Sequence, residues 1–83
     1  MIPKIKELKV LKNYILQVAF DDGREVIYNV EEDISAIKSY EPLKSTKGLF
    51  SHVQLDVSRT VVFWNDEIDL PSDIIYEYGK IVK

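Results

Sequence analysis

Residues 60–71 constrain the fold of this chain more than any other segment. They read TVVFWNDEIDLP: four consecutive apolar residues, an acidic polar turn, a short apolar return and a proline. β-Branched and aromatic residues favour strands, and proline ends strand pairing because it has no backbone N–H to donate. The segment therefore predicts a central hairpin covered by the other elements. Trp64, the only tryptophan, ends the first strand beside the turn, so we expect its ring to be half buried and half available for contact.

A second hairpin is predicted in the N-terminal half. Residues 5–11 have an irregular apolar pattern that indicates a strand with a bulge, and residues 14–20 alternate cleanly. Asp22-Gly23 separates this second strand from a return over residues 24–30. Asp-Gly is a strong hairpin signal because glycine accepts a positive φ without a steric penalty.

Strict alternation over residues 52–57 predicts one more antiparallel strand with a solvated face. Val53, Leu55 and Val57 would point inward, and His52 would point outward. Ser58-Arg59 would form the turn into the central strand.

The first of two predicted short helices follows residue 29. Asn29 can cap it, and the three acidic residues 31–33 suit the positive end of its dipole. Ile34, Ile37 and Tyr40 would face the sheet at helical spacing, and Pro42 would end the helix. The polar residues 43–48 are then expected to form an exposed loop.

The second helix is predicted to open at Pro71 or Ser72 and to stop at Gly79. Its apolar face would carry residues 74, 75 and 78. The whole pattern predicts one α+β domain over residues 1–83, with a small antiparallel sheet of about five or six short strands and two short helices.

Composition excludes several classes of protein. The chain has no cysteine, which removes disulfides and thiolate metal sites, and no apolar run long enough to span a membrane. The N-terminus lacks the apolar core of a signal peptide, so we expect a cytoplasmic protein. The net charge of −3 argues against general nucleic-acid binding, although a basic strip, Lys4–Lys12, leaves weak contact open as an alternative.

The residues of an enzyme are also missing. Asp56, Asp66, Glu67 and Asp69 fall in or near the central hairpin, but neighbouring strand residues point to opposite faces, and turn chemistry explains them without a metal. His52 is the only histidine and has no marked nucleophilic partner. We therefore predict no catalytic residue, no metal, no cofactor and no enzymatic activity.

The aromatic side chains suggest a binding function more strongly than the carboxylates and the histidine suggest catalysis. Five tyrosines and one tryptophan are many for a small core, and these residue types dominate binding hot spots. Each ring could equally pack on the sheet with its polar tip in water. Trp64 and Tyr76 are the two that we select as contact residues.

The C-terminal half resembles a known bacterial family. The resemblance rests on Phe50, Val53, Leu55 and Asp56, on Trp64-Asn65, and on Asp69-Leu70-Pro71 followed by Asp73 and Tyr76. This pattern is similar to the signature of the domain of unknown function 2442. Ser58-Arg59-Thr60 replaces the glycine-rich hairpin usual in that family, and Asp66 replaces the glycine of the next turn.

The resemblance implies a compact α+β domain, commonly encoded beside a second small protein and regarded as antitoxin-like. On that analogy we expect a protein-interaction module whose acidic patches, at Asp21-Asp22 and at the central hairpin, cover a basic surface of a small partner protein. The predicted partner-binding residues are Trp64, Asp66, Glu67, Asp69 and Tyr76. The alternative is a regulatory domain with a small-ligand pocket lined by Trp64 and Tyr76. An exposed edge strand would also allow a homodimer.

Overall fold

The computed structural model describes residues 2–82. Within that range, seven short strands form two antiparallel sheets, and three α-helices pack with them, which confirms the α+β class. The sequence analysis predicted one sheet of five or six strands and two helices. The structure divides the strands between a four-stranded and a three-stranded sheet and adds one helix.

The four-stranded sheet contains the predicted N-terminal hairpin. Its order is β1-β2-β3-β7, with bounds Ile5–Leu11 for β1, Ile15–Phe20 for β2, Glu25–Asn29 for β3 and Lys80–Ile81 for β7. The β1–β2 register shifts between Ile5 and Glu7, which confirms the bulge. Gly23 has a φ of 95°, as the predicted Asp-Gly turn requires.

The first α-helix starts where Asn29 predicts and ends earlier than expected. This helix, α1, spans Val30–Ala36, and the Asn29 side chain accepts a hydrogen bond from the Glu31 backbone N–H at 3.0 Å. Ile37 then turns to an extended conformation and is 42% exposed, so the prediction that it faces the sheet was wrong. Tyr40 is buried as expected, but from a separate 3₁₀ turn, Lys38–Tyr40.

Pro42 begins a helix and does not end one. It occupies the first turn of α2, Pro42–Ser45, a position that suits proline because its missing N–H would have no partner there. Leu43 is only 2% exposed in this helix. The prediction of a fully exposed loop over residues 43–48 was therefore wrong for its first part.

The three-stranded sheet contains the predicted central hairpin. Its order is β4-β5-β6, with bounds Gln54–Leu55, Val61–Phe63 and Asp69–Pro71. The strand predicted over residues 52–57 is reduced to β4. His52 lies in a 3₁₀ turn, Phe50–His52, and Val57 is 98% exposed, so its predicted inward position was wrong. The reason is the turn at Asp56, whose carboxylate accepts from the Ser58 N–H at 3.0 Å and removes Val57 from the strand.

The C-terminal helix, α3, spans Ser72–Tyr78, with Pro71 and Gly79 as its caps, as predicted. Its first residue, Ser72, is fully buried and donates from Oγ to the Pro3 carbonyl at 2.6 Å, which fixes the N-terminal segment against the helix. Ile75 is fully buried, whereas Tyr78, three residues further along the helix, is 71% exposed. Tyr78 lies in the last turn of this helix.

One hydrophobic core connects both sheets with all three helices. Buried side chains come from the four-stranded sheet, from the three-stranded sheet and from the helices. They include Leu16, Val18, Phe20, Val26, Val62, Leu70, Ile34, Leu43 and Ile75. The central hairpin is therefore part of a shared core, as its apolar sequence predicts.

Candidate functional site

Trp64 belongs to the core and not to the surface. Its ring is 5% exposed, and its indole Nε1–H donates to the Phe50 backbone carbonyl at 2.9 Å. The Phe50 ring stacks on it with centroids 5.8 Å apart, and Tyr40 lies 6.4 Å away. The prediction that the ring is half exposed was wrong because the segments carrying Phe50 and Tyr40 fold over the strand end.

The acidic residues of the central hairpin lie at an exposed turn. Asn65 organises this turn: its side-chain oxygen accepts from the backbone N–H of Glu67 at 2.8 Å and of Ile68 at 3.0 Å. Asp66, Glu67 and Asp69 are all exposed. Among residues 2–82, no three carboxylate or imidazole side chains converge in a way that could hold a metal ion. A partner-binding role for these three residues stays a prediction.

A cleft of about 810 Å³ lies elsewhere, beside the turn of the N-terminal hairpin. Three segments form it: the N-terminal residues 2–4, the end of β2 with the following turn, and one face of α3. The lining side chains are Ile2, Pro3, Lys4, Phe20, Asp21, Asp22, Arg24, Asp73, Tyr76 and Glu77. We call this feature the α3 cleft.

Tyr76 connects the walls of the α3 cleft. Its hydroxyl donates to the Asp22 carboxylate at 2.5 Å, and its ring meets the Phe20 ring edge-on with centroids 4.9 Å apart. The Arg24 guanidinium lies 3.9 Å from the Tyr76 ring centroid and also donates to the Tyr76 backbone carbonyl at 3.3 Å. Tyr76 thus joins the hairpin turn to α3 by a hydrogen bond, an aromatic pair and a cation–π contact.

The hydrogen bond between Tyr76 and Asp22 shifts the pKa values of the two groups in opposite directions. The hydrogen bond from Tyr76, with a second from the Arg24 backbone N–H, lowers the pKa of the Asp22 carboxyl below its usual value. The same hydrogen bond raises the pKa of the Tyr76 phenol. Asp22 is therefore ionised and Tyr76 neutral at physiological pH, which keeps their hydrogen bond intact.

The charge of the cleft is predominantly acidic. Four carboxylates and two cationic side chains line it. Arg24 is engaged with Tyr76, and Asp21 is paired with Arg59 at 2.8 Å. Asp73 and Glu77 are exposed on α3, and neither is in an ion pair within residues 2–82. The rim therefore offers two carboxylates to a cationic group from outside.

The structure brings together only part of the predicted site. Tyr76 and the Asp21-Asp22 patch meet in the α3 cleft, whereas Trp64 packs in the core, so the two aromatic residues do not line one pocket. Asp73 and Glu77 were missed as site residues. The available signal was the spacing from Asp73, since Tyr76 and Glu77 follow it by three and four positions, and residues so spaced share one helical face.

Two lysines of the basic strip predicted over residues 4–12 lie in different surroundings. Lys4 lies in the α3 cleft. Lys9 lies on the outer face of the first sheet, in a shallow depression that it shares with Glu7, Gln17 and Glu25. Glu7 and Glu25 therefore lie beside Lys9, and nucleic-acid contact through Lys4–Lys12 stays a prediction.

Comparison with known proteins gives one match. The chain matches the model of DUF2442, described as a protein of unknown function, over residues 5–80. The chain belongs to the DUF2442 family. The matched range contains the N-terminal hairpin and α3, which are the two main walls of the α3 cleft. No curated protein and no solved structure matches the chain. None of the helices in residues 2–82 has the length and apolar character needed to cross a membrane.

Proposed function

We propose that this DUF2442 chain is a non-enzymatic protein-interaction module that receives a cationic segment of a small partner protein in the α3 cleft. The observation that carries the proposal is the combination, in one cleft, of an aromatic floor with a predominantly acidic rim. Tyr76 supplies the exposed part of the floor, with the buried Phe20 ring packed edge-on behind it, and Asp73 and Glu77 supply exposed carboxylates.

A lysine or arginine side chain fits this chemistry well. Its aliphatic stem can lie on apolar surface while its charged end reaches carboxylates in water. The protein contains an internal example, since the Arg24 guanidinium already lies over the Tyr76 ring at 3.9 Å. A partner that presents such a side chain would gain from charge complementarity, which raises association rates and disfavours acidic competitors.

The biological form that we propose for this interaction is the antitoxin-like half of a two-gene pair, on the analogy of the family. In that arrangement the acidic chain would cover a basic surface of the second protein. The net charge of −3 is consistent with a basic partner. Cytoplasmic location is part of the same proposal.

A small-ligand-binding regulatory domain is the second candidate function. It is favoured by the volume of the cleft, about 810 Å³, which lies within the roughly 300–1,000 Å³ of typical ligand sites. A ligand for this site would be a cationic molecule with an apolar part, because the floor of the cleft is aromatic and its rim is acidic.

The test is a tagged pull-down from the native cell, followed by mass spectrometry of intact complexes. The wild type is compared with the double variant Asp73→Lys, Glu77→Lys. The matched control is Asp66→Lys, Glu67→Lys, which makes the same charge change on the other acidic surface, where both residues are also exposed.

We expect a stoichiometric basic protein that is lost with the α3 variant, is retained with the control, and dissociates more readily at high salt. Loss with the control variant alone would move the interface to the central hairpin. A small molecule in place of a protein would favour the second candidate. A chain that emerges alone would contradict both.

A further inference from the structure

The outer edge of β1 is a seven-residue strand edge with no strand beside it. β1 is the first strand of its sheet and pairs only with β2 within residues 2–82. Its side chains from Lys9 to Leu11 are exposed, and Val10 and Leu11 are 37% and 39% exposed although they are apolar. An open strand edge presents unpaired backbone groups to any strand of suitable register.

The hydrogen bonds of the sheet show which groups of β1 point outward. The Phe20 N–H donates to the Arg24 carbonyl at 2.8 Å, and the Val30 N–H donates to the Tyr14 carbonyl at 2.9 Å. Even-numbered residues of β2 therefore bond with β3, and odd-numbered residues bond with β1, because the direction alternates along a strand.

The β1–β2 register shows which residues of β1 form hydrogen bonds with β2. Lys9 pairs with Gln17, so its backbone groups point toward β2. The backbone N–H and C=O of Leu8 and of Val10 must then point away from β2, toward the open edge.

We propose that β1 pairs with β1 of a second copy of this chain, antiparallel and with Leu8 opposite Leu8 across a two-fold axis. In this register the outward N–H and C=O groups of the two Leu8 residues bond each other. Glu7 of each copy lies directly opposite Lys9 of the other. Such a pair does not exchange backbone hydrogen bonds, and this is the geometry in which side chains on neighbouring strands come closest.

Charge selects this register over its neighbour. A shift by two residues places Lys9 opposite Lys9, and like charges directly opposite each other destabilise a sheet. With Leu8 at the centre, two Glu7–Lys9 pairs form instead. Both side chains are exposed, and neither is in an ion pair within its own chain over residues 2–82. Lysine on an edge usually discourages pairing, but here the partner strand supplies the matching carboxylate.

The length of the paired segment is limited at one end. The Ile5 N–H already donates to the Arg59 carbonyl at 2.8 Å, so the turn carrying Arg59 occupies the edge at that point. The contact is therefore short, and we infer a dimer whose population depends on concentration, not an obligate one. The inference does not depend on the function of the α3 cleft.

The pairing is tested by sedimentation velocity at protein concentrations from low micromolar to near-millimolar. The wild type is compared with charge-reversal variants of Glu7 and Lys9. Glu7→Lys and Lys9→Glu each place like charges opposite each other in both pairs, and each should weaken the dimer about tenfold or more. The double variant Glu7→Lys, Lys9→Glu restores opposite charges and should restore the dimer.

A second variant examines the backbone contact itself. Val10→Pro removes an N–H that points away from β2, so the β1–β2 ladder keeps its hydrogen bonds while the proposed pairing loses one from each copy. We expect this variant to be monomeric with an unchanged circular dichroism spectrum. A wild type that stays monomeric throughout the range would overturn the proposal. So would a dimer that withstands both single reversals or that the double variant fails to restore.

Discussion

The Tyr76 hydroxyl donates to the Asp22 carboxylate at 2.5 Å and so connects α3 to a hairpin turn 54 residues earlier in the chain. The bond is one of three contacts that Tyr76 makes across the cleft. Both residues line the α3 cleft, so the bond connects two of its walls.

Tyr76→Phe should raise the pKa of Asp22 toward its ordinary value, because the hydrogen bond from Tyr76 is the main cause of the lowered pKa. A carboxyl with a lowered folded pKa stabilises the fold above its unfolded pKa, and this contribution is lost as pH falls through the folded pKa. The stability difference between wild type and variant should therefore shrink in acid. Carboxyl-carbon NMR titration measures the pKa, and urea unfolding at neutral and acid pH measures the difference. Tyr78→Phe is the control, since Tyr78 is 71% exposed; an equal response in both variants would contradict the assignment.

Trp64→Phe should destabilise the fold by about 1–3 kcal/mol, because the buried Phe50 carbonyl loses its indole donor. The smaller ring also leaves a void in the core. Urea denaturation of the variant measures the loss. Phe50→Leu serves as a comparison, because it removes the stacked ring and leaves the backbone carbonyl in place. A Trp64→Phe variant as stable as the wild type would indicate that the ring is not buried as described.

Gly79→Ala should lower the free energy of unfolding more than Gly48→Ala does, because alanine at position 79 would clash with neighbouring atoms. A Cβ at Gly79 would lie 2.6 Å from the Ile75 carbonyl oxygen and 2.8 Å from a Val26 side-chain carbon, so packing between α3 and β3 must shift. We expect a loss of about 3 kcal/mol or more, at the upper end for overpacked sites, because the nearest atom is a backbone oxygen and not the end of a flexible side chain. Gly48 has a φ of 81° with open space around it, so alanine there meets only the conformational cost of about 1–2 kcal/mol. Thermal unfolding of both variants compares them, and a smaller loss at Gly79 would be inconsistent with this packing.

Alkaline pH should destabilise the fold through two buried tyrosines. Burial raises the pKa of Tyr40 from 10.0 to about 12. Burial, with a hydrogen bond to Asp33 at 2.5 Å, raises the pKa of Tyr28 further. A raised folded pKa means that the stabilisation is complete below the unfolded pKa near 10 and is lost as pH rises through the folded pKa.

The ultraviolet absorbance of tyrosinate should be followed together with circular dichroism. These two phenols should ionise above the ordinary pKa of tyrosine, and their ionisation should accompany unfolding. In Tyr28→Phe one late phenol should disappear from the titration. If Tyr28 and Tyr40 ionised near the ordinary pKa of tyrosine without unfolding, the described burial of these two rings would be wrong.

Short-range signals in the sequence predicted a good part of this fold. Asp22-Gly23 sets a hairpin turn through one positive φ, Asn29 caps α1 through a single side-chain hydrogen bond, and Pro71 and Gly79 bound α3. Each of these effects acts within a few residues, so the local sequence is sufficient to decide it. The shared core behind the central hairpin was also predictable, because its run of apolar residues has to be buried somewhere.

Tertiary structure decided the features that depend on distant segments. Trp64 is buried because Phe50 and Tyr40 fold over it, and Val57 is exposed because the turn at Asp56 ends the strand early. The α3 cleft needs the N-terminal residues, the hairpin turn and α3 to meet. Sequence by itself determined where turns, caps and apolar runs lie, because those follow from local backbone preference and composition. Only the folded chain determined which side chains are covered and which face one another, because burial depends on what packs against a residue from elsewhere in the chain.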